Sequence, residues 1–217
     1  MPGEPPVTKR RKAARRPYLE RPSPRRRWAV EVLSDAEARA LIDAVGGPPF
    51  ARARNRALLG LLYRAGLRLG EALALRPKDL DAAGGSIRVN FGKGGRSRTV
   101  GVDPGAFGLV DAWLAERAAL GVGVDAPLFC SRSGRAVTAA YVRRLLPELA
   151  RRAGVQKRVH AHGFRHTHAA QLRAEGVDIA IISRQLGHSN LITTYCYLNH
   201  IQPTAVIEAI RSRAWSA

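Results

Sequence analysis

One short stretch of strand periodicity, set among runs of helical periodicity, constrains this fold more than any other feature. Ile87, Val89 and Phe91 alternate with Arg88 and Asn90, the turn Gly92-Lys93-Gly94-Gly95 follows, and Arg98–Val102 returns. Alternation of apolar and polar residues is the pattern of a half-buried strand, and a glycine-rich turn closes two such runs into a hairpin. Around the hairpin the apolar residues recur at helical spacing. Ser34-Asp35-Ala36-Glu37 fits a capping box, and Ala38, Leu41, Ile42 and Val45 predict a helix that stops at Gly46-Gly47. A second helix is expected over Ala51–Arg64, breaking at Gly66 before a short helix Leu69–Leu75. Asp103-Pro104 caps and opens a helix to about Leu120, with Phe107, Val110 and Leu114 inward. Pro127–Cys130 reads as a third short strand. Thr138 caps a helix to about Ala153 that Pro147 should kink. Helices near Gly163–Glu175, Asp178–Leu186, Leu191–Asn199 and Thr204–Trp215 complete the chain. The expected fold class is mainly α with a small antiparallel β-sheet (α+β).

Charge narrows the partner. The 217 residues carry 36 Lys+Arg against 17 Asp+Glu, a formal net charge of +19. Such an excess points to a polyanion, with nucleic acid ahead of an anionic membrane surface. Residues 1–27 hold 10 basic and 2 acidic side chains and many prolines, and read as a disordered basic arm. The remaining residues, 28–217, are read as one folded domain with order beginning near Trp28, and they too are basic, at +11. The purely apolar stretch Ala57–Tyr63 falls far short of the ~20 residues that span a bilayer. Two cysteines, Cys130 and Cys196, make no disulfide or metal framework, and no apolar segment follows the early arginine pairs to make an export signal. A cytoplasmic, nucleoid-associated protein is the expectation.

All six histidines (160, 162, 166, 168, 188 and 200) fall within one 41-residue window. A metal site is one reading, with His160/His162 and His166/His168 as ligand pairs. No cysteine or carboxylate lies within those pairs, and catalytic metal sites usually recruit one. The other reading is a site that handles protons and phosphate oxygens without metal. His162 and Arg165 are spaced to share a helix face. Arg68 stands just after Gly66 with Glu71 one turn on, Leu186-Gly187-His188 ends a helix, and Tyr197 follows His188. Two guanidiniums can clamp the non-bridging oxygens of a phosphodiester, imidazoles can accept a phenolic proton, and a tyrosine can attack once so assisted. Lys93 is informative because the chain uses 31 Arg and only 5 Lys. A general acid must be able to lose its proton, which lysine can do and arginine cannot.

These residues resemble the catalytic domain of tyrosine recombinases, the phage-integrase and Xer-like site-specific DNA recombinases. The matching pieces are Ala65-Gly-Leu-Arg-Leu-Gly-Glu71, Phe91-Gly-Lys-Gly-Gly-Arg96, His162-Gly-Phe-Arg-His166 and Leu186-Gly-His-Ser-Asn-Leu-Ile-Thr-Thr-Tyr-Cys-Tyr197, in family order across about residues 30–210. The resemblance implies that Arg68, Lys93, His162, Arg165 and His188 surround a scissile phosphate in double-stranded DNA and that Tyr197 is the nucleophile, with Tyr195 the rival hydroxyl. It implies a 3′-phosphotyrosyl intermediate, no metal, no other cofactor and no ATP, and self-assembly as a tetramer on DNA. Alternatives are a type IB topoisomerase-like relaxase with the same chemistry but no synapsis, and a decayed or truncated integrase that only binds DNA. His160, His166, His168 and His200 are expected to take no part in the chemistry, with His166 packing beside Arg165. Glu71 is expected to support Arg68, and Cys196 to pack. Family members usually carry a helical core-binding domain ahead of this region. Only the basic arm stands there, so that domain is expected to be absent. The C-terminal helix either docks on a neighbouring subunit or packs on its own domain.

Overall fold

Our computed structural model describes residues 31–90, 97–188 and Arg211. Seven α-helices and three short strands follow one another among these residues. Helix α1 (Asp35–Asp43) is opened by the expected capping box: Glu37 N–H donates to Ser34 Oγ, and Ser34 N–H to the Glu37 carboxylate. It ends at Ala44, before the glycine pair, and Val45 is buried beyond the helix end. Helix α2 (Pro49–Arg64) starts earlier than predicted, because Pro49 at its first turn supplies a preset φ and needs no N–H partner. Gly66 breaks the chain and the short helix α3 (Leu69–Ala74) follows. Strands β1 (Leu80–Asp81), β2 (Ser86–Val89) and β3 (Arg98–Gly101) then form an antiparallel sheet in that order. Ile87 faces Val100 and Val89 faces Arg98 across the hairpin.

The third strand is a correction. Leu80–Asp81 fills it, pairing with Ile87 and Ser86, rather than Pro127–Cys130. Two residues are too few to show alternation. The Leu128–Cys130 run is instead buried on every side, with its backbone met singly: Leu128 N–H by Leu75 O, Leu128 O by the Trp113 indole, and Phe129 O by Val137 N–H. Cys130 forms an isolated bridge with Ala136, and its carbonyl accepts from Arg54 Nη1 at 3.1 Å.

Helix α4 (Pro104–Ala119) is capped by Asp103, which accepts from Ala106 N–H. Phe107 and Val110 are buried as expected, but Leu114 is half-buried. Trp113 and Arg117 fill the inner face beside it. Arg117 is tolerated there because its guanidinium donates to the carbonyls of Val122, Gly123 and Ala126, closing the loop that follows. Helix α5 (Ala139–Arg152), capped by Thr138, continues as one element through the exposed Pro147. Helices α6 (Ala161–Ala174) and α7 (Ile179–Leu186) follow, the second capped by Asp178 and ended by Gly187 in the left-handed region.

The core is built from α1, α2, α4, α5, the sheet, the Leu128–Cys130 connection and the start of α6, with Leu41, Leu58, Leu62, Ile87, Val100, Trp113, Phe129 and Phe164 almost wholly buried. Leu33 N–H donates to Thr167 Oγ1, and Lys157 ties Val32 O and Glu37 together, so residues 31–33 are fastened to the body. The arm 1–27, its boundary at Trp28, the hairpin tip and the two expected helices Leu191–Asn199 and Thr204–Trp215 lie outside the described residues, Arg211 excepted. No helix among the described residues is long and apolar enough to cross a membrane.

Candidate active site

Four segments meet at one place. The turn Gly66–Arg68 with α3, the start of β3, the first turns of α6, and the end of α7 with His188 are joined by side chains reaching between them. Arg165 on α6 is the centre. It is 1% exposed, and its Nη1 donates to Gly66 O at 2.7 Å. Its Nη2 donates to Leu186 O and, at 3.1 Å, to Nε2 of His188. A guanidinium has no acceptor, so His188 Nε2 must be bare and its proton must sit on Nδ1. Burial, followed by the positive charges of Arg165, Arg68 and Arg98, holds His188 down at about 4, so it is neutral at physiological pH.

Arg68 stands at the N-terminal boundary of α3. Its Nη1 donates to Glu71 Oε1 at 2.7 Å and its backbone N–H to Oε2 at 2.9 Å. Glu71 does support Arg68, and it also takes both ends of the Arg98 fork, at 2.9 and 2.8 Å. Those hydrogen bonds outweigh burial and hold the Glu71 carboxyl at about 2. The Arg68 side chain remains 36% exposed, open to a ligand on its free side.

His162 lies in the first turn of α6, which begins at Ala161, two residues before the expected start. Desolvation first, and the Arg165 charge second, push it below its ordinary value, so it too is neutral near pH 7. His166 packs edge-on against its ring at a centroid distance of 4.4 Å, and burial takes His166 to about 3. His168 is 5% exposed against Gly66 and Leu186. Burial lowers it to about 4. His166 and His168 are thus both buried, whereas His160 sits exposed at the helix boundary.

Two further residues hold the site together and escaped the sequence reading. Arg98 looks like the first polar residue of a strand, and only the carboxylate it meets far away in sequence distinguishes it. Gln185 pairs with the backbone of Gly101 at both its amide ends, Oε1 at 3.0 Å and Nε2 at 2.8 Å, and reaches Ala65 O at 3.3 Å. It fastens α7 to β3 and to the arginine turn.

Glycine is required at Gly66, where φ is +62° and an added Cβ would lie 2.6 Å from the His168 ring. Gly66→Ala should cost about 1–3 kcal/mol from the left-handed backbone alone, and more from the contact. It would also shift the carbonyl that Arg165 holds. A drop in denaturation midpoint is the expected result; unchanged stability would contradict the packing described.

The buried histidines set a pH dependence. His168 has an ordinary value of 6.5 and a folded value of about 4. Between these, the unfolded chain binds a proton that the folded chain refuses, so stability is full above 6.5 and is lost as pH falls toward 4. By linkage His168 alone removes about 2 kcal/mol between pH 7 and pH 5. His166 and His188 shift the same way. Urea melts at the two pH values should show a clearly lower midpoint at pH 5, and equal midpoints would contradict neutral burial.

Arg68, His162, Arg165 and His188 are thus brought together, two guanidiniums and two neutral imidazoles within electrostatic reach of one another. Lys93, Tyr197, Tyr195, Cys196 and His200 lie outside the described residues. Among the described residues no group of three or more His, Cys, Asp and Glu side chains could hold a metal ion.

The mainly helical body with one small antiparallel sheet is the fold of tyrosine recombinase catalytic domains. The chain belongs to the phage integrase family, whose model matches residues 31–203. It is 36% identical to tyrosine recombinase XerC of Chromobacterium violaceum over 159 residues, covering 73% of this chain and 52% of that protein. Against XerC of Xanthomonas campestris pv. campestris it is 36% identical over 186 residues, covering 85% and 56%. The chain therefore spans about half the length of these curated relatives. The crystal structure of XerA recombinase superposes with a TM-score of 0.74 at 29% identity, covering 85% of this chain and 66% of that one. XerH recombinase bound to a palindromic difH substrate in a post-cleavage complex gives 0.72 at 29% identity, covering 85% and 54%. The catalytic domain of bacteriophage HP1 integrase shares the fold, with a TM-score of 0.55 at 20% identity, and 95% of that chain is covered.

Proposed function

We propose that this protein is a site-specific DNA recombinase that cleaves and rejoins duplex DNA through Tyr197, without metal or ATP. The observation that carries the proposal is the convergence on Arg165: one buried guanidinium touches the turn that presents Arg68 and the imidazole of His188. Family membership and the recombinase relatives support it. Arg68 and Arg165 bind the non-bridging oxygens of the scissile phosphate, where negative charge grows during attack. The neutral imidazole of His162 takes the phenolic proton of Tyr197, while His188, its Nε2 held by Arg165, turns its Nδ1–H to a phosphate oxygen. The Tyr197 oxygen bonds to phosphorus as the bond to the 5′ oxygen breaks, and Lys93 gives that oxygen its proton. The product is a 3′-phosphotyrosyl link and a free 5′-hydroxyl. A 5′-hydroxyl from a partner duplex then attacks the link and regenerates the tyrosine. The phosphodiester energy is retained in the covalent link.

The basic arm, residues 1–27, supplies sequence-independent contacts to phosphates. The domain division at residue 28, tetrameric assembly on DNA and action on the nucleoid in the cytoplasm belong to this same reading. The test is strand exchange in EDTA between two labelled duplexes drawn from a library, run beside relaxation of a supercoiled plasmid. Joined products from both duplexes support the recombinase. Relaxation with no exchange identifies the topoisomerase-like relaxase, and binding without either identifies an inactive integrase.

A further inference from the structure

We propose that Arg98 is a positioning residue for the reaction: it occupies Glu71 so that Arg68 keeps its open side for the phosphate. This rests on the recombinase reading above. Two arginines share the single carboxylate of Glu71, and they share it unequally. Arg98 gives both ends of its fork to Glu71, Nη1 to Oε1 at 2.9 Å and Nη2 to Oε2 at 2.8 Å. Its Nε faces Gln185 O at 3.4 Å, and its side chain is 14% exposed. It lies beneath Gly187, where an added Cβ would come within 2.6 Å of its Nε. Each of the three Arg98 nitrogens thus has an acceptor. Arg68 spends one side-chain nitrogen on Glu71 and remains 36% exposed.

The geometry explains why the second arginine is there. A carboxylate and a guanidinium alone settle into a bidentate pair, because the two planar forks match. Were Arg98 missing, both Glu71 oxygens would be offered to Arg68, and its fork would turn inward. Bidentate capture by Arg98 saturates Glu71 and leaves Arg68 a single bond. Arg98 need touch no substrate to do this.

The experiment is a double-mutant cycle read by single-turnover covalent adduct formation on trapping DNA, with Arg98→Gln, Arg98→Lys, Glu71→Gln and Arg98→Gln/Glu71→Gln. Removing a charge-stabilising donor outright costs about 10²–10³-fold in rate, so a mispositioned one should cost about 10–100-fold. Arg98→Gln should show that loss with DNA affinity nearly unchanged, and Arg98→Lys should recover part of it. The double variant should be no slower than Glu71→Gln alone, because Arg98 acts through Glu71. Additive losses, or a fall in melting temperature with the rate intact, would overturn the proposal. Should the wild type form no adduct, the recombinase reading fails, and the side-chain nitrogen NMR signals of Arg68 decide the positioning. They should shift and show slowed guanidinium rotation in Arg98→Gln, less so in Arg98→Lys; unchanged signals would overturn it.

Discussion

Arg165→Lys is expected to slow DNA cleavage by about 10²–10³-fold, the cost of losing one preorganised donor to a developing oxyanion. Arg165 is 1% exposed and reaches Gly66 O, Leu186 O and His188 Nε2 at once. A lysine carries its donors on one point and cannot span three acceptors on two different segments. The substitution leaves buried carbonyls without donors, at about 1–3 kcal/mol each, so the denaturation midpoint should fall as well. It also frees His188 Nε2, removing the constraint that keeps the proton on Nδ1. Single-turnover rates on trapping DNA, read beside DNA affinity, separate these effects: the rate should collapse while affinity changes little. A cleavage rate near wild type would contradict the central place given to Arg165.

Lys93→Ala should lower cleavage by about 10²–10⁴-fold, the range for loss of a positioned general acid. The prediction has a chemical signature. A 5′ alkoxide is a poor leaving group without a proton, whereas a 5′ thiolate departs unassisted. On a substrate with sulfur in the bridging 5′ position, Lys93→Ala should cleave at nearly the wild-type rate. Arg165→Lys should stay slow on both substrates, because the task proposed for Arg165 is the non-bridging oxygens. A Lys93→Ala defect of equal size on oxygen and sulfur would remove lysine from the role of acid.

What the chain announces in its sequence is its local punctuation. Ser34, Asp103 and Thr138 each cap the helix that follows, and all three side chains accept the expected backbone hydrogen bond. Gly66 and Gly187 break the chain beside the residues that matter, both in the left-handed region. His162 and Arg165 fall on one helix, as their spacing requires. The features that were not legible depend on long-range contact. Leu80–Asp81 is a strand only because Ile87 and Ser86 lie alongside. Leu128–Cys130 looks like a strand because it is apolar, yet it is a buried connection. Arg98 and Gln185 carry no local mark, since a polar residue at a strand or helix end reads as surface until its partner is known. Both partners, Glu71 and Gly101, are far off in sequence, at 27 and 84 residues.

The most direct measurement is covalent trapping in EDTA on a bridging-phosphorothiolate duplex library, with the adduct digested and its peptide mapped by mass spectrometry. The account predicts a denaturation-resistant adduct on the peptide containing Tyr197, absent from Tyr197→Phe. An adduct that survives Tyr197→Phe and maps to Tyr195 would contradict the assigned nucleophile. A folded, DNA-binding wild type that forms no adduct anywhere in the library would contradict phosphotyrosine catalysis by this chain.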